Sequence, residues 1–246
     1  MIKKAVYLAR VEGVHNTTIK AHQREPGGIY PGDQLDYSLL CLRNNSDKEQ
    51  RGPWLCDLTW PYKESVQIDG SGVDEGVAQL LTGLVAALRP RVVLETGTHK
   101  GRSTQAIAMA LDCNEQGHMW TVDMDNYGTL DAALSPDERR RVTQIVGRSP
   151  QCFDQEPLKD LVGIDFAFID GDHTKEGVLN ELAFVDAHRA STCWVALDNT
   201  RDAGWVGVRE ALDEYTDYPK ITLNTMCGMD IIQMSDTVRN RTPKAV

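Results

Sequence analysis

Two short runs carry the side chains best suited to chemistry: IDGDH (Ile169–His173) and LDN (Leu197–Asn199). Asp170, Asp198 and Asn199 offer two carboxylates and an amide oxygen, a hard-oxygen half-shell. Such a set suits Mg²⁺ and leaves positions for water and for two oxygens of a substrate. Left unpaired, two neighbouring carboxylates would repel, and one would take up a proton; a divalent cation relieves that repulsion. A second constellation is the run ETGTHKGRST (Glu95–Thr104). Gly97 and Gly101 allow a sharp turn and close approach of a ligand to the backbone. The helix expected after the loop presents free N–H groups. The spacing is not G-x-G-x-x-G, which disfavours a pyrophosphate and hence NAD. Glu95 at the head of the loop would repel phosphate and attract a cationic amine. Asp123 ends the next apolar run, where a carboxylate can accept hydrogen bonds from both hydroxyls of a ribose.

These residues need a frame that brings them together. Apolar residues at helical spacing with an acidic first turn predict a helix over Asp74–Arg89, stopped by Pro90. Further helices are expected at Arg102–Asp112, Glu176–Arg189 and Val206–Tyr215, with a short one opened by Ser135 and Pro136. Short apolar runs predict strands at Arg91–Glu95, His118–Asp123, Arg141–Gly147, Ile164–Asp170 and Thr192–Asp198. Lys220–Thr225 and Met229–Met234 are joined by only a few residues, so they must pair antiparallel. Alternating strands and helices give a mostly parallel sheet with helices on both faces. Ligands of such sheets bind at the carboxyl ends of the strands. The residues singled out above all fall at those ends.

The chain has 246 residues, 26 Lys+Arg against 36 Asp+Glu, and a formal net charge of −10. That balance argues against a general nucleic-acid binder, which needs a basic face. The opening MIKKAVYLARVEG starts like a signal peptide, but its apolar run stops at Arg10 and Glu12. No stretch approaches the roughly 20 apolar residues of a membrane span. The six cysteines are scattered singly, without zinc-site or disulfide-framework spacing. Six reduced thiols in a cytoplasmic protein are the expectation. Residues 1–73 are turn-rich and read as an irregular N-terminal cap or lid, with aromatics gathered at Pro53–Tyr62. Residues 74–235 form the main domain, and 236–246 a polar tail.

ETGTHKGRST, TVDMD and the closing hairpin resemble the class I methyltransferases that use S-adenosylmethionine, over roughly Asp74 to Met234. The resemblance implies an α/β, Rossmann-like, doubly wound sheet of seven strands, one of them antiparallel. It implies that Glu95, Gly97, Thr98 and Gly101 surround the methionine part of the cofactor, helped by Ser103. Asp123 would hold the ribose and Met124 would lie against the adenine, bordered by Gly147, Arg148 and Ser149. His99 would be a wall of the cofactor pocket, with Asp170 also beside the cofactor. The D…DN arrangement resembles the catechol-type and caffeoyl-CoA-type metal-dependent O-methyltransferases. The run FIDGDHTKEGVLNEL is instead similar to the macrolide-sugar type (macrocin and mycinamicin). In both types the residue three after the first metal acid serves as base. Here that residue is His173, with Asp170 as its partner at the catalytic centre. The sugar type has two acids at the second metal position, whereas this chain has Asp198-Asn199.

The expected activity is transfer of a methyl group from S-adenosylmethionine, with Mg²⁺ or another divalent cation, to a hydroxyl of a small molecule bearing a sugar, polyol or catechol. Partners beyond that acceptor are not expected, neither nucleic acid nor membrane; a homo-oligomer stays open. Two alternatives remain at this stage. One is a metal enzyme similar to cephalosporin hydroxylase on the same scaffold, with Fe(II). The other is a non-catalytic protein that binds S-adenosylmethionine.

Overall fold

The structure, a computed structural model, describes residues 72–238. The expected N-terminal cap up to residue 71, with its Pro53–Tyr62 run, and the tail beyond residue 238 lie outside the described residues. The order of elements is α1 (Glu75–Leu88), β1 (Val92–Thr96), α2 (Arg102–Cys113), β2 (His118–Asp123), α3 (Leu130–Ala133), α4 (Pro136–Arg139), β3 (Val142–Val146), β4 (Ile164–Ile169), α5 (Lys175–His188), β5 (Arg189–Leu197), α6 (Val206–Glu214), β6 (Lys220–Leu223) and β7 (Met229–Ser235). Two 3₁₀ turns, Gln151–Asp154 and Leu158–Asp160, fill the link from β3 to β4.

The sheet runs β3-β2-β1-β4-β5-β7-β6. β1 to β5 pair in parallel, and β7 lies antiparallel between β5 and β6. The expected seven-stranded frame with one reversed strand is therefore present. Order reverses beside β1, whose neighbours are β2 and β4, so a crevice opens at their carboxyl ends. Strand β4 shows why the central strands read as continuous apolar runs. Phe166 and Phe168 enter one core, with α1 and α2; Ala167 and Ile169 enter the other, with α5 and α6. Side chains alternate across a strand, so a strand covered on both faces has no polar side left.

Local chemistry sets the helix ends. Asp74 caps α1 by accepting from the Val77 N–H at 2.9 Å, and Arg89 closes it in the left-handed region at φ 53°. Pro90 follows, which cannot continue a helix. Ser135 and Glu138 form a reciprocal capping box at α4. The largest boundary difference from the sequence expectation is at β5. β5 begins at Arg189, directly after α5, because Arg189 pairs with Ile164 beyond a register shift in β4. The cysteines also need a correction: Cys113 is disulfide-bonded, whereas Cys152, Cys193 and Cys227 are free. No helix among the described residues is long and apolar enough to cross a membrane.

Candidate active site

The crevice beside β1 is a cavity of about 1080 Å³. Its floor is the turn after β1. There the Gly97 and Thr98 N–H groups donate to the Val122 carbonyl at 2.8 and 3.3 Å, and the Gly101 N–H donates to the Thr98 carbonyl at 2.8 Å. Gly97 and Gly101 adopt φ 87° and 90°, so the sharp turn needs glycine as expected. The space a side chain would occupy is taken by protein. A Cβ on Gly97 would lie 2.2 Å from the Asp170 carbonyl oxygen. Glycine at 97 thus lets β1 and β4 bring their ends together.

Asp123, at the end of β2, lines the cavity. Its Oδ2 accepts from the His99 N–H at 2.7 Å and its Oδ1 from the Asp125 N–H at 3.0 Å. Both bonds come from backbone, so the carboxylate is held in place with lone pairs to spare for hydroxyl donors. His99 lines the cavity and meets the Tyr127 ring edge-on at 4.8 Å. Met124, Arg148 and Ser149 also line it, and Met124 is 63% exposed. Glu95, Thr98, Gly101, Ser103 and Gly147 are not among the residues that line the cavity. Glu95 is fully buried and accepts from the Thr104 and Thr121 hydroxyls at 2.5 Å each. Burial pushes its carboxyl up to about 7, against the pull of those hydroxyls. Thr98 is buried too, its hydroxyl paired with that of Thr121 at 2.6 Å.

Across the cavity stand the ends of β4 and β5. His173 Nε2 is 3.3 Å from Asp170 Oδ1. The Asn199 amide donates to the same Asp170 oxygen at 2.9 Å and lies 3.3 Å from His173 Nε2. Thr174, not His173, caps α5, by accepting from the Gly177 N–H at 3.0 Å. His173 is thereby free of a capping duty and stacks on Trp205, ring centroids 4.4 Å apart. Burial disfavours a charge on His173, but the hydrogen bond and charge of Asp170 outweigh it and raise its pKa. Asp170 is itself raised, by burial first. Asp198 is 6% exposed, and burial, followed by the charge of Asp170, pushes it up to about 7.

No group of three His, Cys, Asp or Glu placed to hold a metal occurs among the described residues. The donors available are the oxygens of Asp170, Asp198 and Asn199. Their chemistry fits a hard cation: Asp198 Oδ1 is buried with no hydrogen-bond partner, and the charge of Asp170 raises the cost of ionising Asp198. Asn199 turns its nitrogen to Asp170; as a ligand it would present the oxygen instead.

Sequence reasoning missed three groups. Asp74 lines the cavity from the start of α1, and its charge is felt by Asp198. Met226, 85% exposed, lines the cavity from the β6–β7 turn. Glu181 is fully buried in α5 behind the wall. Its signal was available: it falls with Val178, Leu182 and Val185 on the buried stripe of that helix.

Comparison with known proteins bears on the fold. Residues 94–200 match the model of a family described as a methyltransferase domain. The O-methyltransferase TomG from Streptomyces achromogenes, solved with S-adenosylmethionine and involved in tomaymycin synthesis, is 20% identical. The likeness covers 67% of this chain and 82% of that one, with a TM-score of 0.57. An O-methyltransferase from Bacillus cereus, solved with S-adenosylhomocysteine, is also 20% identical; the likeness covers 68% of this chain and 84% of that one, with a TM-score of 0.57. No curated protein matches. At such identity the likeness establishes the fold, which is the Rossmann-like methyltransferase fold.

Proposed function

We propose that the chain is an S-adenosylmethionine-dependent O-methyltransferase acting on a hydroxyl of a small molecule that bears a sugar, polyol or catechol. The observation that carries this reading is one cavity with a backbone-held Asp123 on one side and the Asp170–His173 contact on the other. S-adenosylmethionine bound there supplies an electrophilic methyl group, and the transfer is an in-line displacement that needs alignment and a deprotonated nucleophile.

Each residue then has a task. Asp123 accepts from the ribose hydroxyls, and Met124 lies against the adenine. His173 takes the acceptor's proton, and Asp170, 3.3 Å from its Nε2, steadies the imidazolium so formed. Trp205 and Met226 line the acceptor end. Asp170, Asp198 and Asn199 would hold a divalent cation, which would lower the acceptor hydroxyl's pKa and orient it.

Titration of S-adenosylhomocysteine into the full chain tests the donor half. Micromolar binding is expected, and no binding overturns the reading. Transfer of labelled methyl to a panel of monosaccharides, polyols and catechols tests the acceptor half. Label transfer that stops with EDTA and returns with Mg²⁺ is expected. Transfer that persists in EDTA removes the cation from the proposal.

A further inference from the structure

Behind the cavity wall lies a polar centre that the proposed chemistry does not use. Glu181 is fully buried in the middle of α5, yet it touches three of the loops that shape the cleft. The Ser149 hydroxyl, from the segment after β3, donates to Glu181 Oε1. The Asp172 N–H, from the turn after β4, donates to the same oxygen at 3.4 Å. The Thr96 side chain, at the end of β1, packs with this carboxyl around Gly171 and eases its charge, and the Thr96 hydroxyl oxygen accepts from the Asp170 N–H at 3.3 Å. Gly171 is pressed against the same group: a Cβ there would lie 2.9 Å from Glu181 Oε1 and 2.8 Å from the Thr96 Cβ. One carboxyl thus gathers strand ends that lie apart in sequence, and the glycine of IDGDH is the residue that leaves it room.

A buried carboxyl is costly unless its partners are worth the desolvation. An apolar residue would fill this place on the stripe of α5 at lower cost. Glu181 Oε2 has no hydrogen-bond partner among the described residues, so the group is not there to satisfy a saturated network. The geometry points to Glu181 as a positioning residue: by tying Ser149, Thr96 and the Gly171–Asp172 turn to one point, it sets where Ser149 meets the donor and where Asp170 and His173 meet the acceptor. This role rests on the methyltransferase reading above for its consequence, though not for its geometry.

The test uses the full chain with Glu181→Ala, Glu181→Gln and Ser149→Ala, and two readouts. The first is amide hydrogen exchange of residues 171–174 against that of β6 and β7. The second is affinity for S-adenosylhomocysteine. Glu181→Ala is expected to speed exchange at 171–174 at least tenfold, to leave β6 and β7 unchanged, and to weaken binding at least tenfold. Glu181→Gln retains an acceptor oxygen and is expected to stay within threefold of wild type on both readouts. A general structural role would speed exchange everywhere and would not be rescued by glutamine; either result overturns the proposal. So does unchanged exchange at 171–174 in Glu181→Ala. If that variant does not fold, Ser149→Ala decides: exchange at 171–174 rises at least threefold, or the tie through Glu181 does not exist. A wild-type chain that binds no S-adenosylhomocysteine overturns the methyltransferase reading instead, and the exchange data still judge Glu181.

Discussion

The half of the cleft built by β1 and β2 and the half built by β4 and β5 solve different problems with the same side chains. On the β1–β2 side, Asp123 is fixed by two backbone N–H groups, and the acid that lacks a partner atom, Glu95, is sealed out of the cavity. On the β4–β5 side the acid with an unpartnered oxygen, Asp198, belongs to a residue that lines the cavity. There the contacts among Asp170, His173 and Asn199 are 2.9–3.3 Å, and Asn199 holds a left-handed φ of 61°. Backbone strain of that kind persists where surrounding structure holds it and gathers at functional sites. In the first half the unpartnered oxygen lies away from the cavity lining; in the second it belongs to a residue that lines the cavity. That difference matches a donor whose shape never varies and an acceptor that has to be oriented and deprotonated.

The sharpest way to break the comparison is at His173. His173→Ala should lower turnover by roughly 10²- to 10⁴-fold, the usual worth of a general base. Affinity for S-adenosylhomocysteine should stay within twofold, because nothing in the first half is touched. Steady-state methyl transfer and calorimetric titration of the same preparation read both numbers. A large loss of donor affinity would mean that the two halves are not separate.

Glu95 sharpens the comparison from the other side. Its carboxyl sits at about 7 in the fold and near 4.5 when free. Between those values the folded state holds a proton that the unfolded state has released. Stability is therefore full below about pH 4.5 and is lost as pH rises towards 7. At about 1.4 kcal/mol per pKa unit, the share of Glu95 is on the order of 3 kcal/mol. Urea unfolding at pH 5 and at pH 7.5 should show this decline together with those of Asp198 and Glu181, and Glu95→Gln should reduce it by the share of Glu95 while keeping the fold. An unaltered slope in the variant would mean that Glu95 is ionised in the fold.

How much of this was legible beforehand differs between frame and site. The strands could be read because each is buried on both faces, which leaves short apolar runs such as FAFI with acids just beyond their ends. Asp123, Asp170 and Asp198 stood out for the same reason: they break an apolar run at the edge where ligands bind. The roles of the glycines were only half legible. Positive φ at Gly97 follows from a tight turn, but the carbonyl of Asp170 filling its missing Cβ position is a contact between distant parts of the chain. Glu181 was missed although it shares the buried stripe of α5 with Val178, Leu182 and Val185, because an acid inside a helical run usually marks a solvent face. The His173–Trp205 stack joins two loops whose approach depends on α5 packing on α6, which local sequence does not specify.

Trp205 offers the mildest test and the one most specific to the acceptor. It is 48% exposed, so its loss should cost the fold little. Its ring lies on His173 with an interplanar angle of 29°, and such aromatic pairs are worth about 0.5–1.5 kcal/mol beyond their buried area. Trp205→Ala should therefore raise the acceptor KM by roughly two- to tenfold, the equivalent of that energy. Trp205→Phe, which keeps a ring to stack, should restore most of it. Donor affinity should not change in either variant, because the contacts that fix Asp123 and the β1 turn are all on the other side of the cavity. The opposite pattern, weaker donor binding with an unchanged acceptor KM, would move Trp205 into the donor half and erase the division between the two.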